Sequence, residues 1–341
     1  MPARLRHAAE VLRANAALER HDAAGWLDHL NRYLVHGRIA PVRLREGDSL
    51  LARFTTDRLR AVEQGPLVTV IMPAWNAAHT VEHAAGSILA QTWRPVELII
   101  VDDASTDDTW AALCRIRDGD PRVRILRNRR NVGPYVSKNI ALMSARGEFV
   151  TGHDADDWAH PQRIERHVRS LLDSQGAIRA SVAYMLRLTP EGRFSFITRT
   201  NEFSFDGAAR KALISCMFRH EDLKQRLGFW DAVRFAADSE MMSRAQSLFG
   251  DGFQNFSSVG MLCLDHADSL TNDPVHGIRT TNGGLSDSRK AYRDSWMPMH
   301  RAGLTEAQAY LEFPQKQRRY PAVAGVAVSH EEQVANLGGA R

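Results

Sequence analysis

The amino-acid sequence predicts an α/β fold in which a mostly parallel central sheet is flanked by helices. Between residues 66 and 160, apolar runs of strand length alternate with segments that carry apolar residues at helical spacing. This alternation is typical of parallel strands joined by right-handed helical crossovers. Polar clusters follow three of the predicted strands, at the carboxyl ends where such sheets bind ligands. One cleft of nucleotide size is therefore expected to collect these clusters.

Each predicted strand is a run of aliphatic residues, and each predicted helix repeats its apolar residues about every 3.6 positions. In chain order, the first half contains the strand "LVTVIMPAW", the helix "AAHTVEHAAGSILAQTW", the strand "VELIIVDDAS", the helix "DDTWAALCRIRDG", the strand "VRILRN", the helix "PYVSKNIALMSARG" and the strand "EFVTGHD". Beyond residue 161 the pattern loosens. It predicts the helix "PQRIERHVRSLLDS", an antiparallel pair "IRASVAYMLRLT" and "RFSFITRT", the helix "DSEMMSRAQSLFG" and the strand "GMLCLDHADS".

The flanking segments predict a division of the chain. Residues 3–36 carry apolar residues at helical spacing up to Gly37, which predicts a helical hairpin packed on the main domain rather than a separate partner-binding module. A charged connector with one short helix follows, so residues 1–64 form a helical N-terminal extension. The main domain is expected over 65–270. Residues 266–292 are rich in Gly, Asn, Ser and Thr and predict a mobile loop, and a helical tail completes the segment 271–341.

Composition restricts the class of protein. The chain of 341 residues is 44% hydrophobic and 25% charged, as in globular proteins, and its length suits about two domains or one large domain with additions. A formal charge of +4 suits anionic small molecules but is far from the charge of a nucleic-acid-binding protein. Cys114, Cys216 and Cys263 are too dispersed for a disulfide framework or a zinc site.

Location is predicted from two further features of the sequence. No stretch approaches the roughly 18 apolar residues that a membrane-spanning helix needs. The N-terminal segment "MPARLRHAAEVLRANAALER" lacks the apolar core of a signal peptide. A cytoplasmic location is therefore expected, with peripheral association at the inner face of the cell membrane left open.

The segment "FVTGHDADDWAHP" places Asp154 and Asp156 two residues apart after a buried strand. On an extended backbone this spacing points both carboxylates to similar sides, about 6–7 Å apart. Such a pair suits one Mg²⁺ or Mn²⁺ ion whose remaining ligands are substrate phosphates. A solvated turn that caps the next helix is the alternative.

Two further polar clusters follow strands. Asp102 and Asp103 end an apolar strand, where a carboxylate can accept hydrogen bonds from a ribose or from the N–H of a base. A helix cap is the alternative, although neighbouring residues can supply it. Asn131 and Gly133 predict a tight turn, and Lys138 in the following helix can reach a base or a phosphate.

Taken in order, "PLVTVIMPAWN", "VELIIVDDASTDD", "NVGPYVSKN" and "FVTGHDADDWAHP" resemble the glycosyltransferase family 2 domain over about residues 66–170. The resemblance implies the GT-A fold and an inverting transfer of a sugar from a nucleotide diphosphate, usually UDP, with Mn²⁺ or Mg²⁺. It implies a nucleotide-binding half over 65–160 and an acceptor half over 161–270. The metal ligands that it implies are Asp154 and Asp156, with Asp156 the closer. The nucleotide-binding residues expected from the motifs are Pro73, Ala74, Trp75, Asn76, Asp102, Asp103, Asn131, Gly133, Lys138 and Asp154.

The family's general base matches Asp238, at the start of a helix about 80 residues after the metal motif. The usual glutamate before this aspartate is replaced by Ala237, and Glu240 remains as an alternative base. An inverting transfer needs such a carboxylate across the cleft from the metal, because it accepts the proton of the attacking hydroxyl. The alternative role for Asp238 is a helix cap.

Four other residues are candidates for donor binding. His266 ends a predicted strand and matches a third metal ligand found in some relatives of this fold, with a structural histidine as the alternative. Arg279, Arg289 and Lys290 lie in the Gly-rich stretch and could clamp the diphosphate, with plain solvated side chains as the alternative.

The resemblance leads to one main hypothesis. By this hypothesis, the protein is a hexosyl- or N-acetylhexosaminyltransferase that moves a sugar from a UDP-sugar to a saccharide or lipid-linked acceptor in bacterial surface polysaccharide biosynthesis. A catalytically degenerate nucleotide-binding scaffold of a polysaccharide-assembly complex is the alternative, since Ala237 departs from the family pattern. The loop "MPAWNAAHT" lacks the Gly- and Lys-rich sequence of nucleotidyltransferases and the GxGxxG of dinucleotide-dependent oxidoreductases.

Overall fold

The computed structural model describes residues 3–267, 269–273, 275–278, 285–323 and 325–337. The N-terminal part is helical apart from one small hairpin. After a 3₁₀ turn, its elements are α1 (Ala9–Glu19), α2 (Ala23–His36), β1 (Val42–Leu44), α3 (Leu50–Arg53) and β2 (Phe54–Thr56). The β1–β2 hairpin was not predicted, because strands of three residues are too short to show an alternating pattern.

The predicted alternation of strands and helices is confirmed in the next segment. Its elements are β3 (Val68–Ala74), α4 (Val81–Leu89), β4 (Val96–Asp102), α5 (Thr109–Gly119), β5 (Val123–Arg127), α6 (Pro134–Met143) and β6 (Phe149–Gly152). The four strands pair in parallel in the order β5-β4-β3-β6. Every residue of β3 and β4 is buried, as expected for parallel strands covered by helices on both faces.

The second half extends the same sheet with mixed strand directions. Its elements are β7 (Asp157–Ala159), α7 (Arg163–Asp173), β8 (Ala180–Leu188), β9 (Phe194–Ser195), β10 (Arg210–Lys211), β11 (Met217–Arg219), α8 (His220–Asp222), α9 (Ala237–Phe249) and β12 (Phe253–Leu264). From β6 the order continues β11-β8-β12-β7, and β11 runs antiparallel to both of its neighbours. The fold prediction of an α/β domain around a largely parallel sheet is therefore confirmed.

Strand β7 was not predicted, since its three residues directly follow the acidic motif and read as a turn. Asp157, Trp158 and Ala159 pair antiparallel with Cys263, Leu262 and Met261 of β12. This pairing brings the end of β12 beside the acidic loop that follows β6.

The C-terminal part contains α10 (Asp287–Arg301), α11 (Glu306–Ala309) and α12 (His330–Leu337). The predicted loop 266–292 ends earlier than expected. The side chain of Ser286 caps α10 by accepting a hydrogen bond from the Arg289 N–H at 3.4 Å, so the prediction of loop was wrong over 287–292. The remainder of that loop includes residues 268, 274 and 279–284, which lie outside the described residues.

The helical N-terminal hairpin packs on the sheet, as predicted. Val11 and Leu30 belong to one buried cluster with Trp158, Tyr184 and Leu186 of the sheet. Burial of this apolar face is the main source of hairpin stability, because isolated helices of such length are marginal in water. Among the described residues, no helix is both long enough and apolar enough to span a bilayer.

Candidate active site

The loops that follow β3 and β4 are joined into one wall at the carboxyl edge of the sheet. Asn76 has a φ of +48°, and its side-chain oxygen accepts a hydrogen bond from the Thr106 N–H at 2.9 Å. The Asn76 N–H donates to the Ser105 hydroxyl at 2.9 Å. Pro73 and Ala74, the last residues of β3, pair with the end of β4, and Trp75 beyond them is 57% exposed. An exposed indole on this wall offers a flat apolar face to a planar group.

Asp103 holds the loop ahead of α6. Its carboxylate accepts hydrogen bonds from the Gly133 N–H at 2.7 Å, the Val132 N–H at 3.0 Å and the Asn128 amide at 2.7 Å. Burial raises the pKa of Asp103 above its ordinary value, although these donors oppose the shift. Asp103 therefore shapes the loop, and its contact with a nucleotide stays a prediction.

Asp102 is also engaged within the protein. One carboxylate oxygen accepts from the Ser105 N–H at 2.9 Å, and the other lies 3.0 Å from Nε of Arg127. The guanidinium of Arg127 stacks over Trp110, 5.1 Å from the ring centroid. Both acidic residues at the end of β4 thus fix neighbouring loops.

The predicted turn at Asn131 and Gly133 packs against the segment ahead of α9. Gly133 has a φ of +82°, and a Cβ atom there would lie 3.0 Å from the Arg234 Cα. Arg234 in turn donates to the backbone oxygen of Asn131 at 3.1 Å. Only glycine suits this position, since the left-handed backbone and the close approach both exclude a side chain.

Lys138 and Asp238 form the central ion pair of the site. The Lys138 Nζ lies 2.9 and 3.0 Å from the two carboxylate oxygens of Asp238. The lysine is buried between Tyr135 and Trp230, whose ring centroids lie 4.6 and 5.9 Å from its Nζ. Asp238 is in the first turn of α9, where the helix dipole favours a carboxylate, and its side chain stays 17% exposed. The lysine expected at the nucleotide therefore contacts the predicted base.

Asp154 lies close to this ion pair. Burial and the charges of Asp156 and Asp238 raise the pKa of Asp154, the charge of Lys138 opposes them, and the net result is a pKa of about 7. The structure thus brings the acidic motif and the predicted base, far apart in sequence, around one buried lysine. A bound cation would relieve the repulsion among the three carboxylates.

Asp156 contacts His266, which follows the end of β12. Its Oδ2 lies 2.8 Å from Nε2 of the imidazole, and both side chains are about one-third exposed at 33% and 30%. Asp157, by contrast, is buried and accepts a hydrogen bond from the Leu264 N–H at 3.1 Å. The third aspartate therefore joins the acidic loop to β12 and keeps His266 beside Asp156.

The donor set fits a divalent ion whose shell is completed by substrate. A carboxylate and an imidazole in contact suit Mn²⁺, with the Asp154 carboxylate nearby. Within the described ranges, no three His, Cys, Asp or Glu side chains form a ready metal cluster. Mg²⁺ and Mn²⁺ often bind through one or two protein ligands plus phosphate oxygens, so this smaller set is compatible with a diphosphate-dependent site.

Glu240 lies in the core and away from the cleft. Its carboxylate is fully buried and accepts hydrogen bonds from Arg244 at 2.8 and 3.0 Å. Arg244 also donates to the backbone oxygens of Ala309 and Phe229, at 2.8 Å each. Burial raises the pKa of Glu240 to about 6. Because positions i and i+2 of a helix do not share a face, Asp238 and Glu240 point apart, and the geometry favours Asp238 as base.

The predicted diphosphate residues have different environments. Arg289 is buried; it donates to the backbone oxygens of His276 and of Leu270, the latter at 3.1 Å, and covers the ring of Phe235. It therefore fastens the loop ahead of α10. Lys290 is exposed and pairs with Asp287 at 3.3 Å. Arg279 lies outside the described residues.

One supporting residue was missed by sequence reasoning. Arg163 is fully buried in the first turn of α7 and donates to the backbone oxygen of Gly152 at 3.0 Å, directly before the acidic loop. Burial lowers the pKa of this guanidinium to about 10. The sequence offered one signal for this residue. Arg163 is a cation in the first turn of a predicted helix, where the helix dipole favours acidic residues, so its position there called for a specific partner.

Comparison with known proteins identifies the family. The family model described as glycosyl transferase family 2 matches residues 69–221. A Haemophilus influenzae protein described as an uncharacterized glycosyltransferase is 37% identical over 235 residues, which cover 65% of this chain and 69% of the relative. The chain belongs to glycosyl transferase family 2.

Other family 2 relatives match over shorter segments. The UDP-Glc:alpha-D-GlcNAc-diphosphoundecaprenol beta-1,3-glucosyltransferase WfaP of Escherichia coli is 34% identical over 102 residues, 30% of this chain and 40% of the relative. The succinoglycan biosynthesis protein ExoO of Rhizobium meliloti is 38% identical over 117 residues, 34% of this chain and 33% of the relative. The chain thus spans less than half the length of either relative. The S. aureus TarS 1-349 complex with UDP-GlcNAc has a TM-score of 0.49 at 18% identity, covering 60% of each chain.

The family 2 match includes the loops after β3, β4 and β6 but ends before α9. The roles expected of Asp238 and His266 are therefore supported by their geometry and by the order of the motifs, and not by the family match. Their contacts with Lys138 and Asp156 place them at the same edge of the sheet as the matched motifs.

Proposed function

We propose that this family 2 protein transfers a hexosyl or N-acetylhexosaminyl group from a UDP-sugar to a hydroxyl group of a saccharide or lipid-linked acceptor, with inversion. The observation that supports this most is the arrangement around Lys138. Asp238 pairs with the lysine, the charge of the same lysine acts on Asp154, and Asp156 of the acidic loop contacts His266. An inverting displacement requires a base and a leaving-group site on opposite faces of the transferred sugar.

In this proposal Asp238 accepts the proton of the acceptor hydroxyl as the new bond forms. Its partial exposure lets a hydroxyl approach, while two contacts from Lys138 fix the carboxylate in one orientation. Fixing a reacting group in this way reduces the entropic part of the barrier. Tyr135 and Trp230 keep the lysine in place on either side.

Asp156 and His266, with Asp154, would hold a Mn²⁺ or Mg²⁺ ion. When bound, such an ion stabilises negative charge on the departing diphosphate, an effect of several kcal/mol. The uridine would lie against the wall formed by Trp75 and the loops after β3 and β4. Residues 65–160 would then bind the nucleotide and 161–270 the acceptor.

The relatives support a role in bacterial surface polysaccharide biosynthesis. One is named as a UDP-glucose-dependent enzyme acting on a diphosphoundecaprenol-linked sugar, and another as a succinoglycan biosynthesis protein. A saccharide or a lipid-linked sugar is the acceptor class that these names suggest for this chain.

The test is release of UDP from a panel of UDP-sugars in the presence of Mn²⁺, followed by the same assay on Asp238→Asn. We expect turnover with at least one donor and a 10²- to 10⁴-fold lower kcat in the variant, the usual contribution of a general base. Asp251→Asn changes an exposed carboxylate just beyond α9 and serves as the matched control with unchanged kcat. Equal activity of Asp238→Asn and wild type would rule out this assignment.

A nucleotide-binding scaffold without catalysis is the second candidate, because a fully buried alanine, Ala237, stands where the family has a glutamate. The two candidates differ in one result. A scaffold would bind UDP with Mn²⁺ but release no nucleoside diphosphate from UDP-, GDP- or dTDP-sugars, whereas an enzyme would turn over at least one of them.

A further inference from the structure

A second cavity lies between the N-terminal hairpin and the sheet, and it shares no lining residue with the candidate active site. Its volume is about 250 Å³, and its walls include Tyr33 and His36 of α2, Phe205 between β9 and β10, and Ser257 and Val259 of β12. Pockets for drug-sized ligands are about 300–1,000 Å³. This cavity therefore suits a single ring rather than a nucleotide.

The inner wall of the cavity is fixed by a buried carboxylate. Asp206 accepts hydrogen bonds from the Tyr33 hydroxyl at 2.7 Å and from the Ala208 and Ala209 N–H groups at 2.9 Å each. Nε2 of His7, another lining residue, lies 3.1 Å from the same carboxylate. Since these groups already have partners, the wall is rigid and its aromatic faces are held in place.

Two imidazoles stack at one side of the cavity. The rings of His7 and His36 lie 4.2 Å apart at an interplanar angle of 13°, and Phe205 lies 6.3 Å from the His7 ring. Flat aromatic faces of this kind pack against the C–H face of a sugar ring. The Ser257 and Ser258 hydroxyls, which also line the cavity, are hydrogen-bonding groups for sugar hydroxyls.

Positive charge lies beside these hydroxyls. Arg166 of α7 donates to the Ser258 hydroxyl at 3.2 Å and to the backbone oxygen of Arg38 at 3.1 Å. Burial lowers the pKa of Arg166, and the charge of Arg38 contributes to the same shift. Neither guanidinium forms an ion pair with a carboxylate in the part of the chain that the structure describes. An anion here would relieve their repulsion through charge-assisted hydrogen bonds.

We propose that this cavity binds one anionic sugar unit, a uronic acid residue of a saccharide chain, apart from the site of transfer. The sugar ring packs on the aromatic faces, and its carboxylate faces Arg166 and Arg38. That this sugar unit belongs to an acceptor chain rests on the proposed function. The binding of the sugar in the cavity does not depend on that function. A site of this kind would retain a growing acidic chain between successive transfers.

Saturation-transfer difference NMR on the full chain tests the proposal with D-glucuronate as the probe and D-glucose as the neutral control. UDP and Mg²⁺ are added in excess to fill the candidate active site. We expect a saturable glucuronate signal with a millimolar Kd that UDP does not displace, and at least fivefold weaker binding of glucose. The absence of a saturable signal, or its loss on addition of UDP, would overturn the proposal.

Two variants assign the signal to this cavity. Ser257→Trp places an indole at the exposed rim and is expected to weaken glucuronate binding more than tenfold. Arg166→Gln, which removes a charge without adding bulk, is expected to weaken it at least fivefold. Asn255→Ala, an exposed change on the same strand that does not line the cavity, should bind as wild type.

The two variants also separate this proposal from the transferase proposal. UDP-sugar turnover should be unchanged in Ser257→Trp, and glucuronate binding should persist even if the protein turns over no donor. Should Ser257→Trp fail to fold, Arg166→Gln decides the question. Wild-type affinity in the folded variants would exclude the cavity as the binding site.

Discussion

Lys138 is the residue on which the candidate site depends most. It is buried, it contacts both oxygens of Asp238, and its charge opposes the raised pKa of Asp154. Removing one partner of a buried ion pair leaves an uncompensated charge, which is costly. The lysine therefore fixes the position of Asp238 and also acts electrostatically on Asp154.

Replacing Lys138 by Met tests this role. The variant keeps the length of the side chain but loses the two contacts to Asp238, so we expect kcat to fall at least 100-fold with less than a threefold change in the KM for the donor. Lys138→Arg should recover part of the loss, because it restores the charge with a different geometry. Lys211→Met, at a half-buried lysine of β10, is the matched control. A parallel rise in donor KM in Lys138→Met would show instead that the lysine binds the nucleotide.

The sequence indicates the acidic residues of the site but not their partners. Asp154, Asp156, Asp238 and His266 stand out because polar residues end predicted apolar strands or begin a predicted helix. The Lys138–Asp238 contact joins residues 100 positions apart and depends on how α9 packs, which no local pattern specifies. The engagement of Asp103 with the loop ahead of α6 was likewise not predictable from spacing.

At the scale of elements, long apolar runs were predictable and short pairings were not. Strands β3 and β4 are mostly apolar, are buried along their whole length and are flanked by clear helical patterns. Strand β7 has three residues and exists because β12 pairs with it, so tertiary contacts determine it. Helix α10 starts inside a Gly-rich stretch because Ser286 caps it. The composition of that stretch indicated a loop, so this start was not predicted.

His160 connects the N-terminal extension to the acidic loop and its helix. Its Nε2 lies 3.0 Å from the backbone oxygen of Ala40, and its Nδ1 accepts from the Gln162 N–H at 3.2 Å, so the ring is neutral. Burial lowers its pKa from 6.5 to about 4. Because the pKa of this histidine is lower in the folded state than in the unfolded state, the unfolded state binds a proton first as the pH falls. The folded state therefore loses stability between the two pKa values.

We therefore expect the free energy of unfolding to fall between pH 6.5 and pH 4 by roughly 3 kcal/mol more in wild type than in His160→Gln. Urea unfolding at several pH values measures this difference in slope. Because other buried histidines titrate in both proteins, the comparison isolates the contribution of His160. Identical pH dependence in the two proteins would contradict the assignment.

At the scale of the whole molecule, the sheet assembles the site from segments that are distant in sequence. Strand β12 pairs with β7 and so carries His266 to Asp156, while α9 brings Asp238 to Lys138 on α6. Metal and nucleotide binding should therefore stabilise the whole domain rather than one loop. A ligand at 100 times its Kd stabilises the folded state by about 2.7 kcal/mol.

His266→Ala tests this assembly by thermal denaturation with and without Mn²⁺ and UDP. We expect both ligands together to raise the Tm of wild type, and the Mn²⁺ concentration for half of that shift to increase at least tenfold in His266→Ala. His330→Ala, at the start of α12, should respond as wild type. An unchanged Mn²⁺ dependence in His266→Ala would show that this histidine does not hold the metal.

The most direct measurement is a crystal structure of the protein with Mn²⁺ and UDP. We expect an anomalous manganese peak bonded to Asp156 and His266 and to diphosphate oxygens, with Asp238 still paired with Lys138 and not bonded to the metal. Manganese bound to Asp238, or a UDP diphosphate remote from Asp154 and Asp156, would contradict this expectation.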